Sequence, residues 1–299
     1  MKTIKNWRHY LERAAGSLRT DPQQDRILHA KGSWIAGTFS ASETGLLVGL
    51  PENAPVLARF SGTLGGSAGH DSLSGDQGVL IRIGNEGTAS EMVLGLFSIP
   101  VFFVRTASDM LDFLAATSSG QSEEARQESI AGFQALHPES VEAMSFGDHR
   151  LPESFMSRNY YSVHAYHAVI NGVESLHRLE LKPTDESVTG FFSQDFPREE
   201  LSDDYLHERL LAQLPVRLSL ISREPGLGET IDVTQNWVTG SQRVLGTVSL
   251  SAKVTAPQAE PELSRTGPFK APQDQLFRER NEMYRAAREL RSTAAQTQP

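Results

Sequence analysis

Three side chains near the C-terminus have the types and spacing for a shared task. In FRERNEMYRAARELR (277–291), Arg280 precedes Tyr284 by four residues and Arg291 follows it by seven. On a helix turning about 100° per residue, Arg280 and Tyr284 lie about 40° apart, and Arg280 and Arg291 about 20°. All three share one face, with Arg288 toward its edge. A guanidinium one turn before a phenol favours the ionised form of that phenol. A solvated, charge-rich terminal helix whose tyrosine packs on the core would carry the same residues.

A second candidate is the imidazole in ILHAKGSWIA (27–36), where His29 heads an apolar run that reads as a buried strand. Such a histidine is either a core residue satisfied by a backbone carbonyl or a group that faces a site. Other polar groups read more plainly. His164 and His167 stand three apart in a predicted strand, on opposite faces, and make a poor chelating pair. The glycine-rich GTLGGSAG (62–69) opens no clear helix, so it is not expected to be a phosphate loop. Asp203 and Asp204 read as a solvated helix start. Trp7, Trp34 and Trp237 read as core or surface anchors.

The elements that must position these groups follow from periodicity. Residues 2–18 read as a helix with Trp7, Tyr10, Leu11 and Leu18 near a 3.6 period, and 19–26 as a polar turn. Short β-rich runs follow between 29 and 105: SWIAGTFSAS, PVLARFSGT, GVLIRIG and PVFFVRT. Helices are expected across 108–146, broken by a Ser-rich loop at 118–124. Strands return at 160–170 and 175–183, joined by Asn171-Gly172, a strong hairpin signal. A helix at 199–214, strands at 216–223 and 243–254, a proline-rich extended stretch at 256–272 and a last helix at 273–293 complete the reading. Roughly eight strands in hairpin-compatible order, with helices between and after them, predict an α+β fold. It would be an eight-stranded antiparallel β-barrel with surrounding helices. Such a barrel is filled by its own side chains, which places a site beside it rather than inside.

Bulk composition narrows the chemistry. The 299 residues carry a formal charge of −9 and no cysteine. Non-specific binding to nucleic acid or anionic lipid needs a basic surface and is not expected. Disulfides, thiolate catalysis and cysteine-based metal sites are excluded. The N-terminal stretch has no apolar core of a signal peptide. The longest apolar run, LGLFSIPVFFV (94–104), is too short to span a bilayer and contains Pro100. The expected location is the cytoplasm.

Five segments in order resemble the monofunctional haem catalases: HAKG (29–32), ARFSGTLGGSAGHDS (58–72), PVFFVR (100–105), HPESVEAMSF (137–146) and the terminal Arg280–Tyr284–Arg291 pattern. The resemblance runs from about residue 24 to 293. The chain is similar to the small catalase-related peroxidases, without the long N-terminal arm or C-terminal flavodoxin-like domain of large catalases. The resemblance implies a single haem domain over 1–299. Within it lie an N-terminal helix (1–23), a barrel with inserted helices (24–255), an extended linker (256–272) and a proximal helix (273–293). It implies haem b as cofactor, with Tyr284 as the iron ligand and Arg280 hydrogen-bonded to it. His29 would be the distal base and Ser61 the hydroxyl that fixes its tautomer. Arg26, Arg59 and Arg291 would bind the haem propionates. No NADPH site is expected.

One departure stands out. The family carries Asn-Asn-Thr before Pro-x-Phe-Phe, and here Phe97-Ser98-Ile99 precedes Pro100. Phe97 therefore takes the place of the distal asparagine, and a one-residue slip would put Ser98 there instead. Losing such a donor costs about 2.7–4 kcal/mol where the interaction is fully used. The expectation is weak or absent catalase activity and peroxide-dependent oxidation of a small organic co-substrate. Hydrogen peroxide or an organic hydroperoxide would be the oxidant. A lipid hydroperoxide isomerase of the allene oxide synthase kind and a non-enzymatic haem binder are the alternatives. The partners implied are peroxide and that co-substrate, with no nucleic acid, no membrane span and room for a homodimer.

Overall fold

The computed structural model describes residues 6–18, 26–64, 66–73, 75–117, 122–170, 172–257 and 260–297. Helix α1 (Trp7–Leu18) comes first, and the start of the expected 2–18 helix and most of the 19–26 turn lie outside the described residues. Four strands follow, β1 (Gly32–Ala41), β2 (Asn53–Gly62), β3 (Gln77–Ile83) and β4 (Met92–Phe97), with the short helix α2 (Glu43–Leu47) between the first two. Each pairs antiparallel with the next. Three helices, α3 (Ala107–Ala116), α4 (Glu123–Leu136) and α5 (Pro138–Ser145), precede β5 (Tyr160–Tyr161), β6 (Tyr166–Ile170) and β7 (Val173–Pro183). Helix α6 (Tyr205–Gln213), strands β8 (Val216–Arg223) and β9 (Gln242–Val254), and the long helix α7 (Gln275–Thr297) complete the chain.

The pairings close on themselves. The ring runs β1-β2-β3-β4-β5-β7-β8-β9 and returns to β1, an eight-stranded antiparallel barrel as the sequence predicts. Strand β6 continues β5 along β7 after an interruption at 162–165. Gly172, in the expected Asn-Gly turn between β6 and β7, has φ 79°, open to glycine without a Cβ clash; Asn171 lies outside the described residues.

Side chains fill the barrel. Ile35, Phe39, Phe60, Ile81, Tyr160 and Leu218 are almost completely buried within one cluster. A second cluster lies outside the barrel wall, where Tyr10 and Leu11 of α1, Met110 and Leu111 of α3, and Leu276 of α7 meet Phe102 and Val104. The helices begin on caps that their sequences supply. Thr106 Oγ accepts from the Asp109 N–H at 3.1 Å, Ser122 Oγ from the Ala125 N–H at 3.3 Å, and Asp274 Oδ1 from the Phe277 N–H at 2.8 Å.

The structure corrects two element boundaries. PVFFVRT is not a strand: pairing ends at Phe97, and residues 98–106 leave the sheet to carry Phe102 and Val104 into the outer cluster. The helix expected from 199 begins at Tyr205, after a single tight turn at Arg198–Glu200.

The barrel seam depends on glycine. A Cβ on Gly37, beside the β1–β9 register shift, would lie 2.1 Å from the Ser249 carbonyl oxygen, whereas one on Gly16 in α1 meets nothing within 4 Å. Gly37→Ala should therefore destabilise by at least about 1–3 kcal/mol. Gly16→Ala should be neutral or stabilise by up to about 1 kcal/mol. Urea unfolding of the two variants checks the contrast.

Candidate active site

The site is built on the outer face of the barrel wall, from a row of residues that the strand register aligns. Ser61 of β2 pairs with Gly78 of β3, which pairs with Phe97 of β4. One step along, Arg59 pairs with Leu80 and Leu80 with Gly95. Arg59 and Ser61 share a face because side chains alternate, while Phe60 between them points into the barrel core.

Two glycines leave the space that the functional groups fill. A Cβ on Gly78 would lie 2.6 Å from His29 Cε1, and one on Gly32 would lie 2.4 Å from the Arg59 guanidinium carbon. The wall is thus shaped to admit an imidazole and a guanidinium group.

His29 is held in an uncommon backbone conformation. Its φ is 56°, the left-handed region that costs a non-glycine residue roughly 1–3 kcal/mol. The His29 N–H donates to the Thr63 carbonyl at 3.0 Å, and Arg59 Nη2 donates to the Ala30 carbonyl at 2.8 Å. These contacts hold the loop before β1 against β2. His29 Nδ1 lies 3.1 Å from Ser61 Oγ, and the Ser61 hydroxyl donates to the Gly78 carbonyl at 3.5 Å. In the tautomer that carries its hydrogen on Nδ1, the serine oxygen accepts and Nε2 is left as the basic atom. Desolvation, then the charges of Arg59, Arg26 and Arg280, push the imidazole down to about 3. His29 is therefore neutral near pH 7, with one ring nitrogen unprotonated.

Helix α7 supplies the opposite side. Arg280 Nη2 donates to Tyr284 Oη at 3.2 Å across one helical turn, and Arg280 Nη1 donates to His164 Nε2 at 2.7 Å. His164 Nδ1 in turn lies 3.0 Å from Asp274 Oδ2. In the chain Asp274–His164–Arg280–Tyr284 the two middle members are buried, His164 and Arg280 being only 2% and 3% exposed, while Asp274 and Tyr284 are partly buried. Burial lowers the His164 imidazole, opposed by its bond to Asp274. Burial would raise the Asp274 carboxyl, and its bonds to His164 and the Phe277 N–H hold it below the ordinary range. His164 sits in the interruption between β5 and β6, which frees it from the strand alternation assumed for it. His167, by contrast, faces Glu174 at 3.2 Å.

A third group lies at the far end of α7. Arg26 Nη2 and Arg291 Nη2 approach the two carboxylate oxygens of Glu260, at 2.5 and 3.3 Å. Burial first, and then the neighbouring charge of Arg26, bring the Arg59 guanidinium down to about 9, despite the opposing pull of Glu260. Three guanidinium groups crowd one carboxylate, a cluster that further anionic oxygen would stabilise.

All eight residues singled out in the sequence, Arg26, His29, Arg59, Ser61, Phe97, Arg280, Tyr284 and Arg291, line one cavity of about 700 Å³. That is within the range that buries a cofactor-sized ligand. Phe97, not Ser98, faces it: the Ser98 hydroxyl instead accepts from the Gln77 N–H at 2.9 Å. The Phe97 ring lies between the two sides, 5.9 Å from the His29 ring and 4.8 Å from the Arg280 guanidinium. A phenol hydrogen-bonded to arginine, a neutral imidazole and a cluster of guanidinium groups match iron, a distal ligand and two propionates in turn. The residues present fit a haem.

A catalase family model matches residues 13–195. The chain belongs to the catalase family. It is 25% identical over 250 residues to a catalase-related peroxidase of Mycolicibacterium paratuberculosis, covering 79% of this chain and 76% of that protein. It is 26% identical over 159 residues to catalase A of Emericella nidulans, covering 48% of this chain and 21% of that one. Among solved structures, a fungal catalase superposes with a TM-score of 0.73 at 17% identity over 97% of this chain, and catalase A of Saccharomyces cerevisiae with 0.74 at 16% over 97%. The chain spans 64% and 65% of those two proteins, and these likenesses show the catalase fold.

The state of His29 gives a pH test. Its folded value of about 3 lies below the ordinary value near 6.5. Between those limits the unfolded chain binds a proton that the folded chain does not, so stability falls as pH drops through this window. The slope from one such group is at most about 1.4 kcal/mol per pH unit. Urea unfolding at pH 4, 5, 6 and 7 should show a shallower acid-side loss in His29→Gln than in the wild type; equal slopes would contradict the assignment.

Proposed function

We propose that the protein is a haem-dependent peroxidase that uses hydrogen peroxide or an organic hydroperoxide to oxidise a small organic molecule, with little or no catalase activity. Family membership makes it an oxidoreductase acting on peroxide, with haem as cofactor. The arginine cluster suits the two propionates of a haem, taken here as haem b. The observation that carries the reading is Phe97, an apolar ring at the wall position between His29 and Arg280.

Tyr284 Oη would hold the iron, with Arg280 donating to the same oxygen, and Arg26, Arg59 and Arg291 would hold the propionates. Bound there, the haem supplies the redox equivalents for cleaving the O–O bond. His29 Nε2 would take the proton from one peroxide oxygen and return it to the other, which leaves as water from hydrogen peroxide or as an alcohol from an organic hydroperoxide, a transfer worth typically 10²- to 10⁴-fold. Ser61 keeps the imidazole in the tautomer that makes Nε2 the base. The buried Asp274–His164 pair holds the Arg280 guanidinium in place against Tyr284. Phe97 offers no donor to a second hydrogen peroxide, and its ring leaves an apolar wall for an organic molecule.

A second reading keeps this site and changes the substrate. Leu64, Leu73 and Met144, each 39% exposed or more, ring the cavity mouth and suit a lipid tail. Consumption of a lipid hydroperoxide with no electron donor present would favour that isomerase reading.

The reading is tested by measuring oxygen evolution and co-substrate oxidation side by side. The haem-loaded wild type should evolve little oxygen from hydrogen peroxide yet oxidise an organic donor. Phe97→Asn, which supplies a donor worth about 2.7–4 kcal/mol where fully used, should raise oxygen evolution by up to roughly 100- to 1000-fold. Oxygen evolution by the wild type at the rate of a full catalase would overturn it.

A further inference from the structure

Tyr10 of α1 is 3% exposed, and its hydroxyl has no hydrogen-bond partner among the described residues. Leaving a buried hydroxyl unpaired forfeits its hydration without return. Burial, and then the charge of Glu279, hold the phenol above its ordinary value, so it remains a proton-bearing donor. The ring is pinned edge-on by Trp7, at 5.3 Å between centroids. It lines the same cavity as the catalytic groups, alongside Phe102, Phe103, Met110, Phe113 and Leu114. Phe102 and Phe103 stack at 4.7 Å, and Phe103 meets Phe113 at 4.5 Å.

This lobe is chemically unlike the rest of the cavity. Aromatic rings and a thioether share this part of the lining with one unpaired hydroxyl, the lining that an aromatic ring bearing a single polar atom would select. The lobe lies toward the first half of α7: the charges of Glu279, then Asp112 and Tyr284, reach Tyr10, and Glu279 and Tyr284 stand about 18 and 10 Å of helix rise before Arg291.

We propose that the chamber beneath α1 is the co-substrate site and that it takes an aromatic molecule carrying an acceptor oxygen, to which the Tyr10 hydroxyl donates. The proposal rests on the peroxidase reading for its role as a co-substrate site. Tyr10 is a binding residue here, and the ring pocket supplies most of the contact area.

The test is calorimetric titration of the haem-loaded protein without peroxide, using p-cresol and toluene as probes. Wild type should bind both, with p-cresol the tighter. Tyr10→Phe should weaken p-cresol roughly five- to tenfold, the worth of one neutral hydrogen bond, and leave toluene unchanged. Ala14→Leu, which adds bulk to the same cavity wall without touching the hydroxyl, should weaken both probes. Unchanged p-cresol affinity in Tyr10→Phe, unchanged affinity for both probes in Ala14→Leu, or no saturable binding by the wild type would overturn the chamber. Peroxide-driven oxidation of p-cresol is measured separately. Binding as expected without turnover would support the chamber as an aromatic site and remove the peroxidase reading.

Discussion

The arrangement of the site depends on one buried cation. Arg280 is 3% exposed, and a guanidinium removed from water destabilises the fold by several kcal/mol unless it is fully bonded. Its hydrogens go to Tyr284 Oη and His164 Nε2, and its flat face lies over Phe97. The balancing charge is Asp274, reached through His164. Every partner comes from a different part of the chain: β4, the break between β5 and β6, the approach to α7 and α7 itself. Satisfying this one side chain therefore locks the C-terminal helix onto the barrel in one rotation, and that rotation aims Tyr284 into the cavity.

The facing side solves a related problem with smaller means. A neutral imidazole must stand close to a wall without being absorbed into it. Gly78 leaves the room, Ser61 holds Nδ1, and the left-handed backbone at His29 turns the ring outward. Burial first, and then three nearby arginines, keep the proton off. The barrel register does the rest, because Ser61, Gly78 and Phe97 are cross-strand neighbours and cannot shift independently. Rigidity in the wall is what makes the distance between the two sides a property of the fold rather than of any loop.

Much of this was legible in the sequence because it is written in local periodicities. The strand alternation of β1, β2, β3, β8 and β9 and the one-face spacing of Arg280, Tyr284 and Arg291 are short-range signals. So is the Asn-Gly turn. PVFFVRT misled because an apolar run between polar flanks looks like a strand whether it buries in a sheet or, as here, packs beneath helices outside one. His164 misled for a different reason. Its apparent strand is broken at 162–165, and its partner Asp274 lies 110 residues away, so neither the orientation nor the pairing has a local signature. The choice between Phe97 and Ser98 also needed the structure, since one residue of register decides which of the two faces the cavity.

Tyr284, held by Arg280, would hold the iron of a haem in this cavity. The most direct measurement is the absorption spectrum of the haem-loaded protein, set beside Tyr284→Phe. A stoichiometric Soret band with the weak visible bands of ferric high-spin tyrosinate haem is expected, altered or lost in the variant. No haem band in the wild type, or a band indifferent to the loss of the Tyr284 hydroxyl, would contradict it.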